Sequence, residues 1–228
     1  MIFSCLLIIC FSRCSHLPPT LFSSHINLNH LDECLSQLLN LYSEIDKKNR
    51  DLLNRTSYIE FEALHLLLSK NTKGLHRALQ LPNITKSQPV VRKAIEISIS
   101  LWLGNFIRAH RIARDLPLNL QLAYRANFSQ IRPSLLEIYE RGHRSPQGAK
   151  FPLEKLSHYL LFDSPKEAAD FCLDHGLLLD ETSSSVIFKT GTTFKLNTPP
   201  KLSNVCNRAI EEKLENVRIS DLLYGQSI

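Results

Sequence analysis

Apolar residues return every three or four positions from about residue 30 to residue 142, the spacing of one buried helical face after another. Leu31, Leu35, Leu38, Leu39, Tyr42 and Ile45 form a first stripe, after a polar stretch that ends near Asn29. Ser57 and Glu60 are spaced as a capping box, in which a hydroxyl and a carboxylate satisfy the open amides of a helix start. Phe61, Leu64, Leu67 and Leu68 follow on one face. A short helix is predicted over residues 72–81, stopped by Pro82, which has no amide hydrogen to give. The next starts near Ser87, carries Val91, Ala94, Ile95, Ser98, Leu101 and Trp102, and ends at Gly104. Tyr124, Phe128, Ile131 and Leu135 continue as a longer helix, which Pro133 should kink or split at Arg132.

Two of these stretches repeat each other. Asn71-Thr72-Lys73-Gly74-Leu75-His76-Arg77-Ala78 closes on Leu81-Pro82, and Asn105-Phe106-Ile107-Arg108-Ala109-His110-Arg111 closes on Leu116-Pro117. His-Arg recurs after 34 residues and Leu-Pro after 35, the period of a helical-hairpin solenoid whose units bury their stripes by stacking. Gly142 and Ser145-Pro146-Gln147-Gly148 then mark a linker.

Beyond it the pattern changes. Pro152 opens a helix with Leu153, Leu156, Leu160 and Leu161. Ser164-Pro165-Lys166-Glu167 places serine at the N-cap, proline at the first helical position and glutamate at the third, and the helix stops at His175-Gly176. Residues 177–179 and 186–188 are short strand candidates around a turn at 180–185. Two helices and a small hairpin describe a winged-helix-like module. The fold class is therefore all-α dominated: a helical-repeat stack over residues 30–145, closed by this module over 150–200. Residues 201–228 add an amphipathic helix at about 205–217 and a tail. Residues 1–29 are an atypical segment.

Charge sharpens the picture because it is segregated. Residues 92–150 hold ten lysines and arginines against four acids, whereas residues 151–195 hold four lysines against seven acids. Stepping about 100° per residue along the helix after Asn105 gathers Arg108, Arg111 and Arg114 opposite Phe106, Ala109, Ile112 and Ala113. Arg125 and Arg132, seven residues apart, share a flank. Arg108, Arg111, Arg125 and Arg132 are the candidate residues for binding RNA or an acidic partner segment, beside the plainer reading of a solvated helix face. The second helix of the C-terminal module sets Lys166 against Glu167, Asp170 and Asp174, with no arginine, asparagine or glutamine to read a base edge, which argues against DNA. That module is expected to meet a protein through Leu177, Leu179 and Val186.

Catalytic and metal chemistry find no foothold in the motifs. There is no HExxH, no glycine-rich phosphate loop, no G-x-S-x-G and no CxxC, so neither an enzyme nor a cofactor is expected. The six cysteines have no framework spacing and read as reduced thiols. Residues 2–11 form an apolar run too short to span a bilayer. The run resembles a signal-peptide core with a passable cleavage site at Cys10-Phe11-Ser12, but the basic residues that should precede it are missing, so secretion is the minor reading.

Several words in this chain resemble the Sac/GANP family of mRNA-export scaffolds. They are Glu60-Phe61-Glu62-Ala63-Leu64, Arg77-Ala78-Leu79-Gln80-Leu81-Pro82, Phe128-Ser129-Gln130-Ile131-Arg132, Phe151-Pro152-Leu153 and Leu160-Leu161-Phe162-Asp163-Ser164. Glu167-Ala168, Phe171-Cys172 and His175-Gly176-Leu177 follow in order, and the resemblance covers about residues 31–225. The short spacing and the ending Leu222-Leu223-Tyr224-Gly225 are most similar to the small single-domain member linked to centrosome duplication. The resemblance implies a PCI-like helical repeat ending in a winged helix. It implies a second PCI-type subunit and a small acidic protein as partners, RNA as a further one, and a nuclear and cytoplasmic location that takes in centrosome and spindle. The roles it implies are centrosome duplication, spindle assembly and mitotic progression, or membership of an mRNA-export complex. The family's Cys-Pro-rich opening motif is not matched in residues 1–30.

Overall fold

The computed structural model of the chain describes residues 14, 17, 20–48, 55–69, 73–196, 212, 213 and 215. They belong to two compact units, one of residues 1–126 with 212–228 and one of residues 127–211.

In the first unit, helix α1 (Ser24–Lys48) begins before Asn29, so part of the expected polar lead-in is helical and Asn27 is buried in it. Its stripe points inward at Leu31, Leu35 and Leu39, while Ile45 at the far end is exposed. Helix α2 (Arg55–Leu68) is the centre of the unit and packs on α1 and on three later helices, α3 (Lys73–Gln80), α5 (Pro89–Trp102) and α7 (Leu118–Arg125). That is why Phe61, Ala63, Leu64, Leu66 and Leu67, which lie all around its axis, are buried together. The helix is already formed at Arg55, so Ser57 lies inside it and is not the cap that its spacing with Glu60 suggested.

Pro82 ends α3 as expected, and a one-turn helix that periodicity does not reveal, α4 (Asn83–Lys86), comes before α5. Pro89 takes the first position of α5, and Gly104 follows its end at φ +72°, a conformation a side chain resists. Asn105 then caps α6 (Phe106–Ala113), its Oδ1 accepting the Arg108 amide at 3.1 Å.

The long helix expected through Tyr124 and Leu135 is two. The α7 ladder closes at Ala126, whose amide reaches the carbonyls of Leu122 and Ala123 at 3.2 Å each, and α8 (Phe128–His143) begins afresh. The break therefore comes before Phe128, and α8 passes through Pro133 unbroken. One amide is missing there, and the rest of the ladder carries the helix.

Within the second unit α8 is followed by β1 (Ala149–Pro152), α9 (Leu153–Leu160), α10 (Pro165–Asp174), β2 (Leu178–Leu179) and β3 (Ser185–Phe188). The strands form an antiparallel sheet in the order β1-β3-β2, with Lys150 and Leu178 both opposite Ile187. This strand–helix–helix–hairpin order makes a winged module of the two helices and the hairpin read from the sequence; β1 is the addition, too short to show a period of its own. Ser164 Oγ caps α10 by accepting the Glu167 amide at 3.3 Å, and Glu167 Oε2 accepts the Asp163 amide in return. Among the described residues the chain is thus helix-dominated with one small sheet, the expected fold class. The apolar run at 2–11 and the tail segment at 222–224 lie outside the described residues, as does most of the helix expected at 205–217. Of that helix Glu212, Lys213 and Glu215 are helical, and Lys213 Nζ donates to Gln121 Oε1 at 3.1 Å.

Candidate interaction surfaces

The arginines singled out by charge separate into two kinds. Arg108, Arg111 and Arg114 are exposed on α6 while Phe106, Ala109 and Ala113 are buried, as the helical step predicts. Arg125 and Arg132 are each only 1% exposed and belong to no surface face. Their expected role in RNA or acidic-partner binding is corrected on that ground, since a guanidinium enclosed by protein cannot reach a phosphate or a partner's carboxylate. Arg132 has structural work instead. Its Nε donates to the Leu160 carbonyl at 2.8 Å and its Nη2 to that of Leu161, while its plane lies 4.0 Å from the Phe162 ring centroid. Leu161 ends α9 in the left-handed conformation at φ 57°, which turns these carbonyls out of the helical ladder and toward the cation. The sequence held a signal for this: Arg132 sits four residues after Phe128, inside the stripe of Ile131 and Leu135 rather than opposite it.

Two carboxylates are buried with arginine partners. Glu62, fully buried in the central helix, takes Arg77 Nε at 3.1 Å on Oε2 and Nη2 at 2.5 Å on Oε1. Tyr58 donates to the same carboxylate, and burial together with that negative charge pushes its phenol up to about 12. In the second unit Glu140, 1% exposed, binds Arg144 through Nε at 2.6 Å. His175, also 1% exposed, donates from Nδ1 to the Lys195 carbonyl at 2.5 Å and lies edge-on to Phe171, so it holds the segment after β3 against the end of α10. Among the described residues no three His, Cys, Asp or Glu side chains are grouped to hold a metal ion, and no helix is long and apolar enough to cross a membrane.

Of the winged-module residues expected to face a protein, none is fully exposed. Leu177 and Val186 are 1% and 0% exposed and face the helices, while Leu179 is half-buried. Because side chains alternate along a strand, the outward row is Lys150, Ile187 and Leu178, of which Leu178 is 49% exposed.

Sequence periodicity missed the outer face of α5. Val91, Ala94, Ile97 and Ser100 face the core, yet Trp102 and Leu103, at the end of the same helix, are 62% and 65% exposed, and Ile99 is exposed one turn back. Periodicity alone groups Trp102 with Val91 and Ala94. Apolar residues all around α5 were the available signal, since such a helix has two apolar faces and one neighbouring core. Beside this face Glu96 is held between Arg92 Nε at 3.5 Å and Arg108 Nη2 at 3.6 Å.

A sequence model of the SAC3/GANP family matches residues 3–181. The match takes in the N-terminal segment that motif words alone did not cover. The chain is also similar to Protein xmas of Drosophila melanogaster, 29% identical over 188 residues, which is 80% of this chain and 9% of that protein. It thus spans less than a tenth of that relative's length.

Proposed function

The chain belongs to the SAC3/GANP family, and from that premise we propose that it is a non-catalytic scaffold that works by binding other proteins. The observation that carries this reading is the contrast between the inside and the outside of both units. The buried polar side chains Glu62, Arg132 and His175 are spent on tying elements together, while large apolar groups such as Trp102, Leu103, Leu173 and Leu178 stand exposed on helices and strands. Exposed apolar groups on a fixed frame suit docking better than bond-making chemistry. The setting we propose is centrosome duplication, spindle assembly and mitotic progression, with a second PCI-type subunit and a small acidic protein as partners in nucleus and cytoplasm.

A second reading, an mRNA-export subunit that also holds RNA, draws support from the exposed Arg108, Arg111 and Arg114 on α6. Purification of the tagged chain from dividing cells, with mass spectrometry and RNA recovery across a salt series, tests both. The scaffold reading expects stoichiometric proteins that persist at high salt. The RNA reading expects bound RNA that falls steeply with salt and is lost with Arg108→Glu and Arg111→Glu. A chain recovered alone under every condition would refute the scaffold reading.

A further inference from the structure

The outer face of α5 has a shape as well as a composition. Ile95, Ile99 and Leu103 are spaced by four, a single ridge along the helix about 12 Å long at 1.5 Å per residue, with Trp102 standing beside it. Ile99 and Leu103 are exposed, Ile95 is half-buried, and the ridge lies opposite Ala94 and Ile97, which face the core. In the helical stack each helix has its buried face covered by neighbours; α5 has this second apolar face uncovered among the described residues. A ridge of this period fits the groove between two ridges of another helix. An extended chain or a nucleic-acid strand has no matching groove, and only one of these side chains is an aromatic on which a base could stack.

Charge sets the chemistry of that helix. Residues 89–115 hold five lysines and arginines against two acids, and the acid beside the ridge, Glu96, is already shared by Arg92 and Arg108. Arg111 and Arg114 stand exposed on α6 and make no ion pair among the described residues. The rim is cationic and the floor apolar. A second copy of this chain would bring the same cations against it and be repelled.

We propose that the α5 ridge is the docking site for an acidic amphipathic helix of another protein, with apolar anchors three and four residues apart set against Ile99, Trp102 and Leu103, and carboxylates reaching Arg108 and Arg111. The proposal deepens the scaffold reading and rests on it.

Trp102 is the sole tryptophan of the chain, so its emission reports directly on this face. The probes are an eighteen-residue synthetic helix with leucines at every third and fourth position and glutamates on their flanks, the same peptide with lysine for glutamate, and an oligouridylate. With the full chain, the glutamate peptide should move the emission to the blue and saturate. Leu103→Ser, and separately Arg108→Glu with Arg111→Glu, should each weaken it about tenfold or more, with the thermal midpoint held because these side chains are on the surface. The lysine peptide should leave the emission unmoved. Equal response to both peptides, or indifference to Leu103→Ser, overturns the proposal. So does an emission shift with oligouridylate alone, which makes the face a nucleic-acid surface, or a blue shift on concentrating the protein by itself, which makes it a self-contact. If purification from cells yields stable partners while the glutamate peptide leaves Trp102 unmoved, the scaffold reading stands and this site falls.

Discussion

Arg132 turns a cation that looks like a surface group into an internal brace. Two charge-assisted hydrogen bonds to carbonyls at the end of α9, with a ring beneath the guanidinium, are worth about 2–4 kcal/mol together. Arg132→Ala should therefore lower the urea midpoint strongly, and Arg132→Lys should recover little, since an ammonium cannot reach both carbonyls in one plane. Glu62 and Arg77 invite a paired test. Arg77→Ala leaves a carboxylate buried with its main partner gone and should cost about 3 kcal/mol or more, whereas changing both residues to leucine should restore much of the loss. A double mutant no better than the single one would show that the pair itself stabilises the fold. Titratable groups add a dependence on pH. Burial lowers the pKa of His65, so the folded chain disfavours its cation; stability on this account is full above the ordinary histidine value and falls as pH drops below it. Burial pushes the Cys172 thiol up to about 12, so its share is full below the ordinary thiol value and is lost as pH rises toward 12. Alkylation of Cys172 at neutral pH should track global unfolding, and fast labelling of the native chain would contradict its burial.

At the scale of elements, α10 and the hairpin depend on each other. Phe171 is 2% exposed, in ring contact with Phe162 and edge-on to His175. Phe171→Asp puts an unpaired charge in that cluster and should open the second unit to protease while the first resists longer. Loss of both units together would show that they fold as one. Gly176 ends the same element in a left-handed turn. At φ +82°, with an added Cβ only 2.6 Å from the Thr193 carbonyl oxygen, Gly176→Ala should destabilise by about 1 kcal/mol or more, far beyond what Gly142→Ala does in α8, where a Cβ meets nothing.

For the whole molecule, the start of α1 sets where the first unit begins to matter. Removing residues 1–28 takes away the first turn of α1 and the buried Asn27, so the thermal midpoint should fall below that of a chain lacking only residues 1–19. Equal midpoints would show that this turn adds nothing. The capped start at Ser164, the stop at Pro82 and the two helices and hairpin of the C-terminal module were legible along the chain because each follows from contacts within a few residues. The same holds for the exposed arginines of α6, where a helical step sorts one side from the other. What periodicity could not decide is which apolar face of α5 meets the core, whether Val186 or Ile187 points outward, and what the enclosed Arg132 touches. Each of these rests on partners far away in sequence: α2 for α5, β1 and β2 for β3, and for Arg132 the carbonyls of residues 160 and 161. A local pattern states that a side chain lies on a given stripe, and only the packed structure states what that stripe touches.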